Sequence, residues 1–159
     1  MRGTTEVNPD FADMVACLVE HEVDFLVVGA YALAAHGFPR ATGDIDLLVR
    51  PTAANAERVL RALAAFGAPV AAHGVSTRDF EQPDHVYQIG LPPRRIDILT
   101  SISGVSFDEA AADAVDGNLG GVPVKFIGRE AMVRNKRASG RLKDLADAEL
   151  LEQDGPTTD

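Results

Sequence analysis

The stretch GDIDLL, residues 43–48, places Asp44 and Asp46 one residue apart at the head of an apolar run. Alternate side chains of a strand point to the same face and lie about 7 Å apart, so both carboxylates converge on one patch. Two like charges held together are costly unless a cation neutralises them, and Mg²⁺ prefers carboxylate oxygens, phosphates and water. The pair therefore suits a metal site, although a bare D-x-D motif is more often a solvated strand end.

A third acid, Asp97, lies between two isoleucines in RRIDILT, residues 94–100. A buried carboxylate without a partner is costly, so this one needs a metal, a cation or a hydrogen-bond donor. The alternative to a metal is a structural ion pair with Arg95, two residues away on the same strand face.

The apolar stretch DFLVVG runs into Gly29, and an alanine-rich helical stretch follows at once. Free N–H groups at a helix N-terminus attract anions, and glycine lets an anion approach closely. A phosphate site is therefore physically possible, but strand–glycine–helix junctions are common and this signal is weak alone.

The surroundings of the D-x-D motif exclude other sites. A calcium loop needs further oxygen ligands and a fixed glycine, whereas apolar residues follow here. In haloacid-dehalogenase phosphatases and many sugar-nucleotide glycosyltransferases the apolar strand precedes the motif, so both families fit poorly. His21, His73 and His85 show no zinc-ligand spacing.

The 159 residues suit one domain, with a net charge of −9 that disfavours extended nucleic-acid binding. Six of the 15 lysines and arginines nevertheless fall within residues 128–143, which allows a local anion site. No stretch approaches the roughly 20 apolar residues of a membrane span. The N-terminus lacks a signal-peptide core and there is one cysteine, so a cytoplasmic protein is expected.

Hydrophobic periodicity predicts an α/β (α+β) fold, a small mixed and largely antiparallel sheet flanked by helices, with a short helical C-terminal piece. The region of residues 68–83 is expected to be turn-rich, and Pro123 suggests an edge strand. The predicted helices span residues 9–21, 30–37, 51–67, 106–115, 129–138 and 141–153, and the predicted strands span 24–29, 44–50, 85–91, 94–100 and 121–127.

The order of VVGAYALAAHG, RATGDIDLLV, RIDIL and KRASGRLKDLADAELL resembles the DNA-polymerase-β-like nucleotidyltransferase superfamily. Within it, the similarity is to minimal nucleotidyltransferases and AbiEii-type toxin enzymes, and it covers about residues 24–151. The resemblance implies Mg²⁺-dependent transfer of a nucleoside monophosphate from an NTP to a hydroxyl. The acceptor would be a protein, a tRNA end or a small molecule such as an aminoglycoside, and a toxin would have a cognate antitoxin protein as its partner.

The same resemblance assigns roles to the three acids. Asp44 and Asp46 match the pair that binds divalent metals, Mg²⁺ or Mn²⁺. Asp97 matches the third acid, which shares one metal and helps activate the acceptor hydroxyl.

The resemblance also implies a nucleotide site. Gly29 and Ala30 match the turn that holds the triphosphate, where Ala30 replaces a glycine or serine and keeps only its backbone N–H as a contact. Lys136 matches a lysine directed at the phosphates, and Asp144 is the position of interest in the last helix. Two loop residues before the acids complete the candidate contacts to nucleotide or acceptor, Arg40 and Thr42.

By this interpretation residues 1–8 are a loose N-terminus, 9–127 a nucleotidyltransferase-like core, 128–153 a helical appendage packed on it, and 154–159 a frayed tail. The alternative function, motivated by Ala30, is a catalytically degenerate member that binds nucleotide or a partner protein.

Overall fold

The structure is a computed structural model that describes residues 7–39 and 43–153. Two predicted site residues, Arg40 and Thr42, lie outside the described residues, as do the predicted tail and most of the predicted loose N-terminus. Within the described ranges, no helix is long and apolar enough to cross a membrane.

In the described part of the chain, six strands form one mixed sheet in the order β3-β4-β2-β1-β6-β5. Three of its pairings are antiparallel and two, β2 with β4 and β1 with β6, are parallel. The predicted fold class is therefore confirmed. The strands are β1 Phe25–Val28, β2 Ile45–Val49, β3 Val86–Ile89, β4 Ile96–Leu99, β5 Val115–Leu119 and β6 Val122–Phe126.

Among residues 7–39 and 43–153, seven helices flank the sheet, and local capping explains where several of them begin. The Asn8 side chain accepts a hydrogen bond from the N–H of Asp10 at 2.7 Å, and Ser106 with Glu109 forms a capping box. The helices are α1 Pro9–Glu20, α2 Gly29–Ala35, α3 Ala53–Phe66, α4 Thr77–Glu81, α5 Phe107–Ala112, α6 Arg129–Ser139 and α7 Leu142–Gln153.

The predicted edge position of β6 is wrong, because β5 pairs outside it. A turn at Gly120 and Gly121, with φ of 60° and 88°, joins the two strands. On its other side β6 meets β1 at a single register pair, Val27 with Phe126, and this narrow contact is here called the seam. Pro123 lies three residues before the seam, where its missing N–H breaks no ladder to β1.

The region expected to be turn-rich contains the short helix α4. Ser76 caps it and Asp79 completes the capping box, with the Ser76 N–H donating to the Asp79 carboxylate at 2.9 Å. Phe80 anchors the helix, since its ring is fully buried.

The hydrophobic core fixes the central strands from both faces. Ile45, Leu47, Leu48 and Val49 of β2 are all buried, and each such side chain contributes about 1.5–3 kcal/mol on burial. Both C-terminal helices join the same cluster of apolar side chains through Ala131, Met132, Ala148 and Leu151. Strand β2 is therefore a rigid support for the acids at its N-terminal end. The domain boundaries proposed from the sequence stay a prediction.

Candidate active site

The site begins with the register of two neighbouring parallel strands. Asp46 of β2 lies directly beside Asp97 of β4, and the next strand aligns Gln88 with Asp97. Adjacent strands are about 4.8 Å apart, so side chains at the same register position share one face of the sheet. Topology thus brings together two acids that are 51 residues apart in the chain.

The acids at this position are short of compensating positive charge. Burial, the charge and hydrogen bond of Asp97 and the charge of Asp44 together raise the pKa of Asp46 to about 6, against the opposing charge of Arg95. Asp97 is the most enclosed, with 9% of its side chain exposed against 26% for Asp44. We call Asp44, Asp46 and Asp97, together with Arg95, the acid cluster.

Arg95 is the cation of the acid cluster. Its Nε donates to Asp97 Oδ1 at 2.8 Å and its Nη2 to Asp97 Oδ2 at 3.2 Å. The same Nη2 lies 3.3 Å from Asp44 Oδ2, while the Arg95 backbone N–H donates to Asp44 Oδ1 at 2.9 Å. The ion pair of Arg95 with Asp97, considered as the alternative to a metal, is therefore present.

Gly29 is required where β1 meets α2. Its φ is +71°, and a Cβ there would lie 2.3 Å from Asp46 Oδ2. Val28 pairs with Asp46 in the antiparallel register of β1 and β2, which places the glycine against that carboxylate. Only a glycine allows both the backbone conformation and this close approach.

A cavity of about 430 Å³ connects the sheet with the C-terminal helices. Of the predicted nucleotide residues, it brings together Gly29, Ala30 and Lys136, with Asp46 in the same lining. Other polar residues on its helical wall were not predicted as site residues from the sequence: Asn135, Ser139, Arg141, Lys143 and Asp147.

Lys136 does not extend freely into the cavity. It is buried, with Nζ 3.3 Å from Asp144 Oδ1 and 3.2 Å from Asp147 Oδ2. Asp147 is itself buried, and its Oδ2 pairs with the Lys136 ammonium. The signal for this arrangement was the spacing of Asp144 and Asp147, which puts both on one helix face.

Asp144 is held by several donors. Ser139 Oγ donates to its Oδ2 at 2.7 Å and Arg141 Nε at 3.0 Å. Burial alone would raise the pKa of Asp144, but the Ser139 hydrogen bond and the charges of Lys136 and Arg141 outweigh it, so the pKa is lowered. We call Lys136, Ser139, Arg141, Asp144 and Asp147 the lysine cluster.

The acid cluster suits a hard divalent cation in its chemistry. Its donors are all carboxylate oxygens, the ligands that Mg²⁺ prefers, and its single guanidinium contacts two of the three acids. Within residues 7–39 and 43–153, however, no group of three His, Cys, Asp or Glu side chains is arranged so that it could hold a metal ion. The raised pKa of Asp46 agrees with a cluster that would gain from more positive charge.

Solved structures share this fold. A candidate nucleotidyltransferase from Thermotoga maritima aligns with 93% of this chain and 94% of its own, at 14% identity and a TM-score of 0.52. The antibiotic-resistance factor ANT(2'')-Ia aligns with 91% of this chain and 81% of its own, at 19% identity and a TM-score of 0.56. The chain therefore has a nucleotidyltransferase-like fold. No family model and no curated protein matches the sequence.

Proposed function

We propose that the protein is a metal-dependent nucleotidyltransferase, which moves a nucleoside monophosphate from an NTP to a hydroxyl. The observation that carries this proposal is the side-by-side placement of Asp46 and Asp97 next to Gly29, at the wall of a cavity with basic residues opposite. The likeness in fold to nucleotidyltransferases supports it.

In this proposal Asp44, Asp46 and Asp97 hold Mg²⁺, or Mn²⁺ in its place. The bound metal would neutralise charge on the α-phosphate and on the departing pyrophosphate. The acceptor oxygen bonds to the α-phosphorus, and the bond from that phosphorus to the bridging oxygen of the β-phosphate breaks. Asp97 would help to activate the acceptor hydroxyl, in the role that the resemblance implies for the third acid.

The triphosphate would lie in the cavity between the sheet and the C-terminal helices. Gly29 and Ala30 would offer backbone N–H groups, and Arg141 and Lys143 would face the phosphates from the other wall. Lys136 belongs to the same wall, but it pairs with two carboxylates, so its main role in this proposal is to stabilise that wall. Arg40 and Thr42 stay predicted contacts.

For the acceptor, we propose a small cationic molecule with free hydroxyls. The net charge of −9 attracts cations and repels nucleic acid. The fold neighbour ANT(2'')-Ia is an aminoglycoside nucleotidyltransferase, and aminoglycosides are polycations of this kind. A protein or tRNA acceptor, a toxin role with a cognate antitoxin, membership of the AbiEii-type group and a cytoplasmic location stay predictions.

The test is a transfer assay with purified protein, Mg²⁺ and each of the four NTPs labelled on the α-phosphate. An acceptor panel of aminoglycosides, tRNA and cell extract should show pyrophosphate release and label on one acceptor class. Label on aminoglycosides would confirm the acceptor proposal. Label on another acceptor class would correct the acceptor and still support the transfer activity.

Bound NTP without turnover across the whole panel would contradict the enzymatic proposal. It would favour the alternative of a degenerate nucleotide-binding or protein-interaction module. Two observations motivate that alternative: Ala30 lacks a hydroxyl, and Lys136 is already paired with two carboxylates.

A further inference from the structure

Arg95 contacts every carboxylate oxygen of two of the three acids. Asp97 Oδ1 and Oδ2 accept from Nε and Nη2, Asp44 Oδ1 accepts from the backbone N–H, and Asp44 Oδ2 lies 3.3 Å from Nη2. These are the oxygens that a divalent cation would take. The guanidinium and a divalent cation cannot bind these oxygens at the same time, so the charge-assisted hydrogen bonds of Arg95 exist only while no metal is bound.

The position of Arg95 allows its side chain to leave. The residue stands one position before β4, and 28% of its side chain is exposed. Its backbone N–H stays bonded to Asp44 whatever the guanidinium does, so the acid keeps one fixed partner. The neighbouring Arg94 is exposed and makes a backbone hydrogen bond to Leu91, without a described contact to the acids.

We propose that Arg95 is the resident counter-cation of the acid cluster, a positioning residue whose guanidinium must leave Asp44 and Asp97 when a divalent metal binds. The guanidinium holds Asp44 and Asp97 together in the metal-free protein and competes with the metal for their oxygens. This inference rests on the proposed function, which supplies the metal. Its consequence is that metal binding is weakened by an internal competitor.

The experiment measures Mn²⁺ affinity without nucleotide, by electron paramagnetic resonance, for the wild type, Arg95→Met and Arg95→Lys. Removing the competitor should tighten Mn²⁺ binding roughly tenfold in R95M, since one nearby charge typically changes the affinity of a carboxylate for a cation by about that factor. R95K keeps a charge but loses the two-pronged geometry and should fall between. Arg94→Met is the matched control and should bind Mn²⁺ like the wild type.

The melting temperature of the metal-free proteins gives a second readout. R95M should melt several degrees below the wild type, because its three acids have lost their cation, and saturating Mn²⁺ should restore it. A merely structural arginine would instead lower both melting temperature and Mn²⁺ affinity. If R95M does not fold, R95K tests the same exchange through its intermediate affinity.

The outcomes separate this inference from the proposed function. If the wild type binds Mn²⁺ and folded R95M and R95K bind it no more tightly, the proposed exchange is wrong. The proposal of a metal-dependent enzyme is not affected by that result. Absence of Mn²⁺ binding in all four proteins, with an NTP analogue also present, overturns the metal site itself and the inference with it.

Discussion

Two ion clusters belong to the same site but differ in their balance of charge. The acid cluster on the sheet has three carboxylates and one guanidinium, whereas the lysine cluster on α6 and α7 has two carboxylates with Lys136 and Arg141. The pKa of Asp46 is accordingly raised, and that of Asp144 is lowered. The same residue type responds in opposite directions to its partners.

The difference separates a cluster whose charges are nearly balanced from one that has an excess of negative charge. The lysine cluster is satisfied by its own side chains, so its carboxylates stabilise the wall of the cavity. The acid cluster is left with excess negative charge at a cavity wall, which is costly unless a cation arrives. Charge imbalance therefore points to chemistry more specifically than the number of acids does.

The largest expected effect comes from replacing Asp46 by Asn. Transfer should fall by about three orders of magnitude or more, because a central metal-binding carboxylate is lost. The metal-free protein should be at least as stable as the wild type, since a repelling charge is removed. Single-turnover transfer and urea unfolding measure both quantities. Asp116→Asn, at an exposed pair with Lys125, is the control and should change neither. Normal transfer by D46N would remove Asp46 from the site.

A substitution in the lysine cluster should mainly lower the free energy of unfolding. Lys136→Met leaves Asp144 and Asp147 without their shared cation, which typically costs about 3–4 kcal/mol when the pair is buried. Urea unfolding measures the loss, and Lys143→Met, an exposed lysine of α7, should stay within about 0.5 kcal/mol of the wild type. A comparably small effect of K136M would show that the cluster is not balanced as described.

Gly29→Ala tests the contact between the turn and the acid cluster. The new Cβ would displace the Asp46 carboxylate, so stability should fall by about 2–3 kcal/mol and transfer roughly 100-fold. Gly67→Ala is the control, because Gly67 also has a positive φ, of +97°, but open space around it. It should cost about 1 kcal/mol and leave transfer unchanged. Equal effects of the two substitutions would mean that only backbone strain matters at Gly29.

The smallest expected effect is the dependence of metal-free stability on pH. Because the pKa of Asp46 is raised by folding to about 6, its stabilisation is complete below its ordinary value and is lost as pH rises through 6. The shift from 3.8 to about 6 corresponds to at most about 3 kcal/mol, and solvent screening at this partly exposed carboxylate reduces the expected loss to about 1–2 kcal/mol. The lowered pKa of Asp144 acts oppositely, since its stabilisation is lost as the pH falls through that pKa. Unfolding in EDTA should show the first decline in the wild type and not in D46N.

Much of the fold could be predicted from local patterns. Hydrophobic periodicity placed α1 and α3 close to their observed bounds, and alternating apolar residues placed both strands of the antiparallel β3–β4 pair. Strand β5 was missed because VDGNL has low strand propensity and is stabilised by its pairing with β6. The adjacent Gly120–Gly121 was the hairpin signal that could have identified it.

The candidate site was predictable in its residues but not in its geometry. The spacing of Asp44 and Asp46 and the apolar neighbours of Asp97 marked the acids, yet their alignment depends on the parallel pairing of β2 with β4. No local pattern contains that pairing. Likewise, Lys136 was predicted from a resemblance, while its enclosure by Asp144 and Asp147 depends on how α7 packs against α6.

The seam between β1 and β6 divides the sheet into two units with different cooperativity. The strands from β3 to β1 share continuous ladders, which hold Asp46 and Asp97 and end next to Gly29. The β5–β6 hairpin, in contrast, joins these strands by one register pair and by side-chain packing. Local opening of the hairpin would therefore leave the acids in register. We therefore expect opening of the hairpin to disturb the register of Asp46 and Asp97 less than opening of the strands from β3 to β1 would.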